Sequence, residues 1–255
     1  MRARSLIAVE RHGHRDRLVD VRCEPPLTVR ECHDRILLVG SAAAPVGGDD
    51  LRTEVRVGPG ATARIGSAAA TLIWPAPTTT DGMARPSSSI THAIVDDGGC
   101  LEWHPEPMVS LVGSVHRAAT VVELAEVARC SIVEELALGR HGEPAGQLEL
   151  TLRVRRAGRA LIAHSERFGP HAHGAGSVVS IGEARHVICV VLVGPTAFGV
   201  VPSAHVVEPA MRAAAALPIA PDAVVVMAVG GDRADAWAAV DEVAPGLCDR
   251  FDSMV

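Results

Sequence analysis

Apolar and polar residues alternate at a two-residue period through much of the chain before Val201, which is the signature of half-buried strands. Leu148-Glu149-Leu150-Thr151-Leu152-Arg153-Val154-Arg155 is the clearest stretch and predicts a strand with one buried and one wet face. Ile36-Leu37-Leu38-Val39 is continuously apolar, and Gly, Pro and Asp bound such runs as turn residues should. A turn-then-strand unit recurs. Val57-Gly58-Pro59-Gly60-Ala61-Thr62-Ala63-Arg64-Ile65 has the same shape as Val95-Asp96-Asp97-Gly98-Gly99-Cys100-Leu101-Glu102-Trp103, and Arg156 to Ile162 is a looser third copy. Repeated units of this kind predict a layered or helical β architecture. Ordinary hairpin turns are the alternative.

Two regions depart from the strand pattern. Thr120 to Leu138 reads either as a helix, with Val122, Ala125, Ile132 and Leu136 on one face, or as two strands around a turn at Ala125 to Arg129. Near the C-terminus, the Ala-rich run from Ala204 to Leu217, closed by Pro218, predicts a short helix. Asp222 to Val229 predicts a buried strand. Asp232 or Asp235 then caps a second helix running to about Ala244, before Pro245-Gly246. Pro75 to Ser89 and Gly169 to Gly176 read as linkers.

Composition narrows the classes. All 24 basic residues are Arg, against 30 Asp plus Glu, giving a formal charge of −6. An acidic chain with three Trp, three Phe and no Tyr has neither the basic footprint nor the stacking platforms of a nucleic-acid binder. A hydrophobic content of 48% argues for a folded core. The N-terminus lacks an apolar signal core, and Gly194-Pro195 and Gly199 break the most apolar stretch, Val187 to Val201. These features predict a soluble cytoplasmic protein without a membrane segment. The six cysteines form no Cys-x-x-Cys pair, so free thiols are expected.

The candidate chemistry is carried by carboxylates and histidines. Gly47-Gly48-Asp49-Asp50 is a tight turn presenting two carboxylates, or simply a solvated turn. On a strand, Glu102 and His104 project to one face with Trp103 on the other, a pair able to ligate a metal or share a proton, or to sit as a polar face. Glu134-Glu135 and Gly139-Arg140-His141-Gly142-Glu143 group carboxylates with an Arg, as a functional cluster or as a surface ion-pair network. His12-Gly13-His14 and His171-Ala172-His173 each place two imidazoles side by side, and each lacks a third ligand nearby. No nucleophile elbow, dinucleotide fingerprint, HExxH or four-cysteine site is present.

Taken in order, Val46-Gly47-Gly48-Asp49, Val57-Gly58-Pro59-Gly60-Ala61, Ala68-Ala69-Ala70-Thr71, Leu101-Glu102-Trp103-His104-Pro105-Glu106, Glu134 ahead of Gly139-Arg140, Gly142-Glu143 and Gly158 resemble the urease accessory protein UreD (UreH) family. The resemblance is densest from about residue 37 to 169 and weaker over 203 to 255, with the whole chain read as one UreD-like domain. It implies a mainly β fold, a layered, β-helix-like arrangement of many strands with about two helices, mostly C-terminal. It also implies that Thr120 to Leu138 forms two strands. The implied role is non-enzymatic: delivery of nickel to apo-urease together with UreF-like and UreG-like proteins, with no permanently bound cofactor and nickel only in transit. On that reading Asp49, Asp50, Glu54, Glu102 and Glu134 are candidates for a transient nickel path. Arg140 and Glu143 are candidates for its wall or a partner interface, and His104, His171 and His173 for further metal contacts. Isolated carboxylates suit transit, because thiolate or multi-His sites would trap Ni2+. The alternatives are a metal-dependent enzyme using Glu102, His104, His171 and His173, and a purely structural adaptor.

Overall fold

The computed structural model describes residues 1–33, 35–77, 85–173, 181–194, 205–207 and 212–247. The strands are β1 (Arg2–His12), β2 (Arg15–Cys23), β3 (Leu27–Cys32), β4 (Arg35–Gly40), β5 (Asp50–Val57), β6 (Thr62–Ser67), β7 (Thr71–Ile73), β8 (Ser87–Val95) and β9 (Cys100–His104). They continue as β10 (Met108–Ser110), β11 (Val115–Leu124), β12 (Arg129–Ala137), β13 (Gln147–Arg156), β14 (Arg159–Phe168), β15 (His186–Val193), β16 (His205–Val207), β17 (Ala213–Ala220) and β18 (Ala223–Gly230). A helix, α1 (Arg233–Val243), follows.

Two sheets face each other. The first runs β14-β13-β11-β8-β5-β1-β2 and the second β16-β17-β18-β15-β12-β9-β6-β4-β3. Strands β1, β5, β8, β11 and β13 are parallel neighbours in the first. Strands β4, β6, β9 and β12 are parallel neighbours in the second. The chain passes from β5 to β6, β8 to β9 and β11 to β12, one strand in each sheet, so successive coils stack as the β-helix-like expectation requires. The turns stack as well: the Gly60 N–H donates to the Asp97 carbonyl (3.0 Å) and the Arg129 N–H to the Gly99 carbonyl (2.9 Å). Gly60 and Gly98 have φ of +64° and +71°, a conformation that favours glycine and accounts for the repeated Gly in both turns.

Antiparallel strands close the stack. β2 and β14 finish the first sheet, β3 ends one side of the second, and β15, β18 and β17 extend the other. The third sequence copy, Arg156 to Ile162, is not a coil turn. Arg156 pairs with Arg159 in a two-residue hairpin, with Ala157 and Gly158 both at positive φ, which matches the twist of adjacent antiparallel strands. The true third coil turn lies between Leu124 and Arg129, so Thr120 to Leu138 is two strands. Ser87, Ser88 and Ser89, read as the end of a linker, begin β8.

Inward positions fill a shared core. Ile7, Val55, Ala93 and Val122 lie side by side across four strands and meet Ile65, Leu101, Ile132 and Val191 from the second sheet. Burying each of these Val, Leu and Ile side chains contributes about 1.5–3 kcal/mol against leaving it exposed.

The C-terminal region holds α1 as its only helix among the described residues. Asp232 is its N-cap, its side chain accepting the Asp235 N–H at 2.9 Å. The helix predicted over Ala204 to Leu217 is instead strand where described: β17 pairs antiparallel with β16 and β18. Packing overrides the helical preference of the Ala run. Ala214 and Ala216 are buried beneath Ala236, Ala239, Val240 and Val243 of α1, and their small side chains let the helix lie close to the sheet. No helix among the described residues is long and apolar enough to cross a membrane.

Candidate functional site

The interior is apolar toward one end of the sandwich and polar toward the other, and the change happens within one strand repeat. Next to the row Ile7, Val55, Ala93 and Val122 lies the inward row Ser5, Thr53, Thr91 and Thr120. Next to that lie Ala3, Leu51, Ser89 and Ala118, and then Ser87 and His116. The Ser5 and Ala3 rows, with His116, form one wall of a cavity of about 500 Å3. The second sheet supplies Leu38, Trp103 and Glu134 opposite them, and the small-residue stretches Ala42–Pro45 and Ala68–Ala70 lie at its margin with Trp74 and Glu106. A volume of this size has room for on the order of ten waters.

Arg52, Glu106, Glu134 and Glu135 are the charged residues of the cavity lining, and Glu134 is the one on the inward face of β12. It alternates there with Cys130, Ile132 and Leu136 and is only 9% exposed. Burial raises its carboxyl to about 7, and the nearby Thr120 hydroxyl opposes that rise. Cys189 lies directly across the β12–β15 pair, its thiol pushed up by burial and then by Glu134, so it is not a thiolate.

Glu135, one residue on, points to the other face of the sheet and meets a different environment. It accepts His186 Nε2 at 2.6 Å, Arg233 Nε at 2.6 Å and Arg233 Nη2 at 3.1 Å. Burial works to raise its carboxyl, but the bonds from His186 and Arg233 together outweigh it and hold the group below the usual carboxylate range. Adjacent glutamates therefore differ sharply: one is neutralised by a cation, and the other faces a cavity with a hydroxyl as its neighbour.

His116 is held between two serines. Its Nδ1 lies 2.8 Å from Ser87 Oγ and its Nε2 2.9 Å from Ser89 Oγ. Burial lowers it to about 4, against a bond to the Ser87 main chain that works the other way, so the ring is neutral near pH 7. One ring nitrogen donates and the other accepts.

The remaining sequence candidates are spread around the molecule. Asp49 is buried and accepts the Val46 N–H at 2.8 Å and the Met1 amine. Asp50 and Glu54 lie on the outer face of the first sheet, paired with Arg52 at 3.4 Å and Arg56 at 2.6 Å. Glu102 and His104 share a face, as the spacing predicts, but it is the outer face of the second sheet. There Glu102 accepts Arg64 Nε at 3.0 Å and His104 Nε2 meets Ser131 Oγ at 2.8 Å. Burial, then Arg35, lowers His104 to about 4. Arg140 and Glu143 pair at 3.0 Å in the loop after β12, and the Arg140 guanidinium stands 5.9 Å over the Trp74 ring at the cavity margin. The bond to Arg140 holds the Glu143 carboxyl low.

The His171 N–H donates to Gln147 Oε1 at 3.0 Å, next to the start of β13. His173 follows in the same turn. Among the described residues no group of three or more His, Cys, Asp or Glu is placed to hold a metal, so Glu102, His104, His171 and His173 are not brought together as a ligand set.

Sequence reasoning missed His116, Thr120 and the serines of β8. The signal was present: polar residues at the inward positions of strands, where the alternation calls for apolar ones. It also missed Arg185, whose Nη2 donates to the Leu138, Arg140 and Glu143 carbonyls and so organises the loop that carries Arg140.

The model of the UreD urease accessory protein family matches residues 1–251. Among similar curated proteins, urease accessory protein UreD 3 of Streptomyces griseus subsp. griseus is 35% identical over 235 residues, 89% of each chain. The urease accessory protein UreD of Streptomyces coelicolor is 36% identical over 215 residues, 82% of each. That of Frankia alni is 36% identical over 208 residues, 75% of this chain and 67% of its own.

Proposed function

The chain belongs to the UreD family of urease accessory proteins, and from that premise we propose that it passes nickel to apo-urease in the cytoplasm, in a complex with UreF-like and UreG-like proteins. The observation that carries this reading is Glu134, a buried carboxylate in a cavity, attended by a hydroxyl. A conduit must hold its ion weakly at each station. One carboxylate among neutral oxygens meets that need, whereas thiolates would retain Ni2+. The nearest thiol, Cys189, is kept protonated by burial.

The candidate carboxylates then divide by their partners. Glu134 is the interior station. Asp50, Glu54 and Glu102 are each held by an arginine and contribute less to any path. Asp49 lies in the loop leading into β5, the strand that supplies Thr53 to the cavity. Arg140, over Trp74, belongs to the cavity margin or a partner surface.

The test is urease activation in cells carrying the cognate urease genes. Glu134→Ala is expected to reduce activation strongly, and Glu54→Ala to leave it near the parent level. Full activation by Glu134→Ala, with the variant still captured by urease, would remove the conduit and leave a structural adaptor.

A further inference from the structure

Ser5, Thr53, Thr91 and Thr120 are lateral neighbours on four adjacent parallel strands, and all four line the cavity. Neighbouring strands lie about 4.8 Å apart, so the row is about 14 Å long. Its last member, Thr120, shares the cavity lining with Glu134. His116 does not add a free ligand, because serine hydroxyls meet both of its ring nitrogens. Among the described residues no three metal-binding side chains converge, while protein sites that bind transition ions directly use several imidazole, thiolate or carboxylate ligands. A row of hydroxyls beside one carboxylate is instead a donor set for water: each hydroxyl donates one hydrogen bond and accepts two. An ion with six waters needs roughly 200 Å3 at about 30 Å3 per water-sized body. The cavity offers about 500 Å3.

Resting on the conduit reading above, we infer that the cavity holds its divalent cation through the cation's own water shell. The Ser5–Thr53–Thr91–Thr120 row hydrogen-bonds those waters, and Glu134 supplies the opposing charge. The site then selects for hydrated size and charge and is nearly blind to ligand softness. Ni2+, Co2+ and Mg2+ occupy it alike, and discrimination among them falls to the proteins at either end of the transfer.

The experiment is equilibrium dialysis of the full chain with Ni2+, taking as signal only the nickel lost on Glu134→Gln. Hexaamminecobalt(III), whose inert ammonia ligands occupy the place of bound water, is expected to displace that nickel, and so is Mg2+ at concentrations within about tenfold of the nickel. Thr53→Val with Thr91→Val removes two hydroxyls while keeping side-chain shape, and is expected to lower the signal on the order of fivefold per hydroxyl. Thr53→Ser with Thr91→Ser is expected to restore it. If hexaamminecobalt(III) leaves the Glu134-dependent nickel in place, or the valine pair retains it in full, the hydrated-cargo inference is overturned while the conduit reading stands. If Glu134→Gln binds nickel and activates urease like the parent, both are overturned.

Discussion

Replacing Glu134 with Gln is expected to stabilise the folded chain at alkaline pH and to do so progressively less toward acid. The folded carboxyl is raised from 4.5 to about 7 by burial. Between those values the folded state binds more protons than the unfolded chain, so stability falls as pH rises through that window. The gap, at 1.36 kcal/mol per pH unit, caps the effect at about 3 kcal/mol. Partial hydration of a group facing a cavity lowers the expected value to about 1–3 kcal/mol. Gln keeps the shape and stays neutral, so the difference between variant and parent should open between pH 5 and pH 8. For a chain of this size each kcal/mol moves the midpoint by about 2–4 °C, giving an opening of roughly 2–12 °C. The assay is thermal unfolding of both proteins, followed by circular dichroism, in metal-free buffer across that range. A constant offset fixed by the lost Thr120 contact alone would leave the two curves parallel. Parallel curves would refute the reasoning, because they would mean that Glu134 is charged in the folded protein at all these pH values.

His116 works in the opposite sense. Its folded value, about 4, lies below the usual 6.5, so the stability it contributes is present above 6.5 and is lost as pH falls toward 4. His116→Gln should flatten that acid limb by up to about 2 kcal/mol between pH 7 and pH 5, measured by urea unfolding at both. Arg233→Ala leaves Glu135 buried with His186 alone. It is expected to cost about 1–3 kcal/mol, less than a fully buried pair because the Arg233 side chain is half exposed, and to increase hydrogen exchange in α1 before the coils.

The coils were legible because their signals are local. Alternation marks β13, and the paired Gly turns after Val57 and Val95 mark the passage between sheets. The Ala-rich stretch misled for a physical reason: alanine's helical preference is intrinsic, and the use of Ala214 and Ala216 as a thin floor beneath α1 depends on a partner in a later segment. The same limit applies to the site. Glu134 and Glu135 look equivalent side by side, and their difference rests on Arg233, 98 residues from Glu135. Glu102 and His104 were correctly placed on one face, but one strand cannot reveal whether that face looks into the cavity or away from it. The hydroxyl row needs the pairing register of four strands, which no single stretch contains.

That register makes the chain's middle unusually intolerant of length change. Consecutive residues of β12 face opposite sides of the sheet, so losing a single residue from the Ala125–Ala128 turn would rotate every later β12 side chain to the wrong side. Glu135 would then take the inward place of Glu134 without its arginine, Glu134 would move to the Val133 position beneath α1, Leu136 would take the place opposite Arg233, and Ile132 would leave the core. A deletion scan across the molecule should therefore find residues 125–137 as sensitive as any buried substitution. The two-residue hairpin at Ala157–Gly158, on the rim of the first sheet, should accept insertions, because only β14 depends on it for alignment. The functional asymmetry of two neighbouring glutamates is thus encoded as a count of residues as much as by their identity.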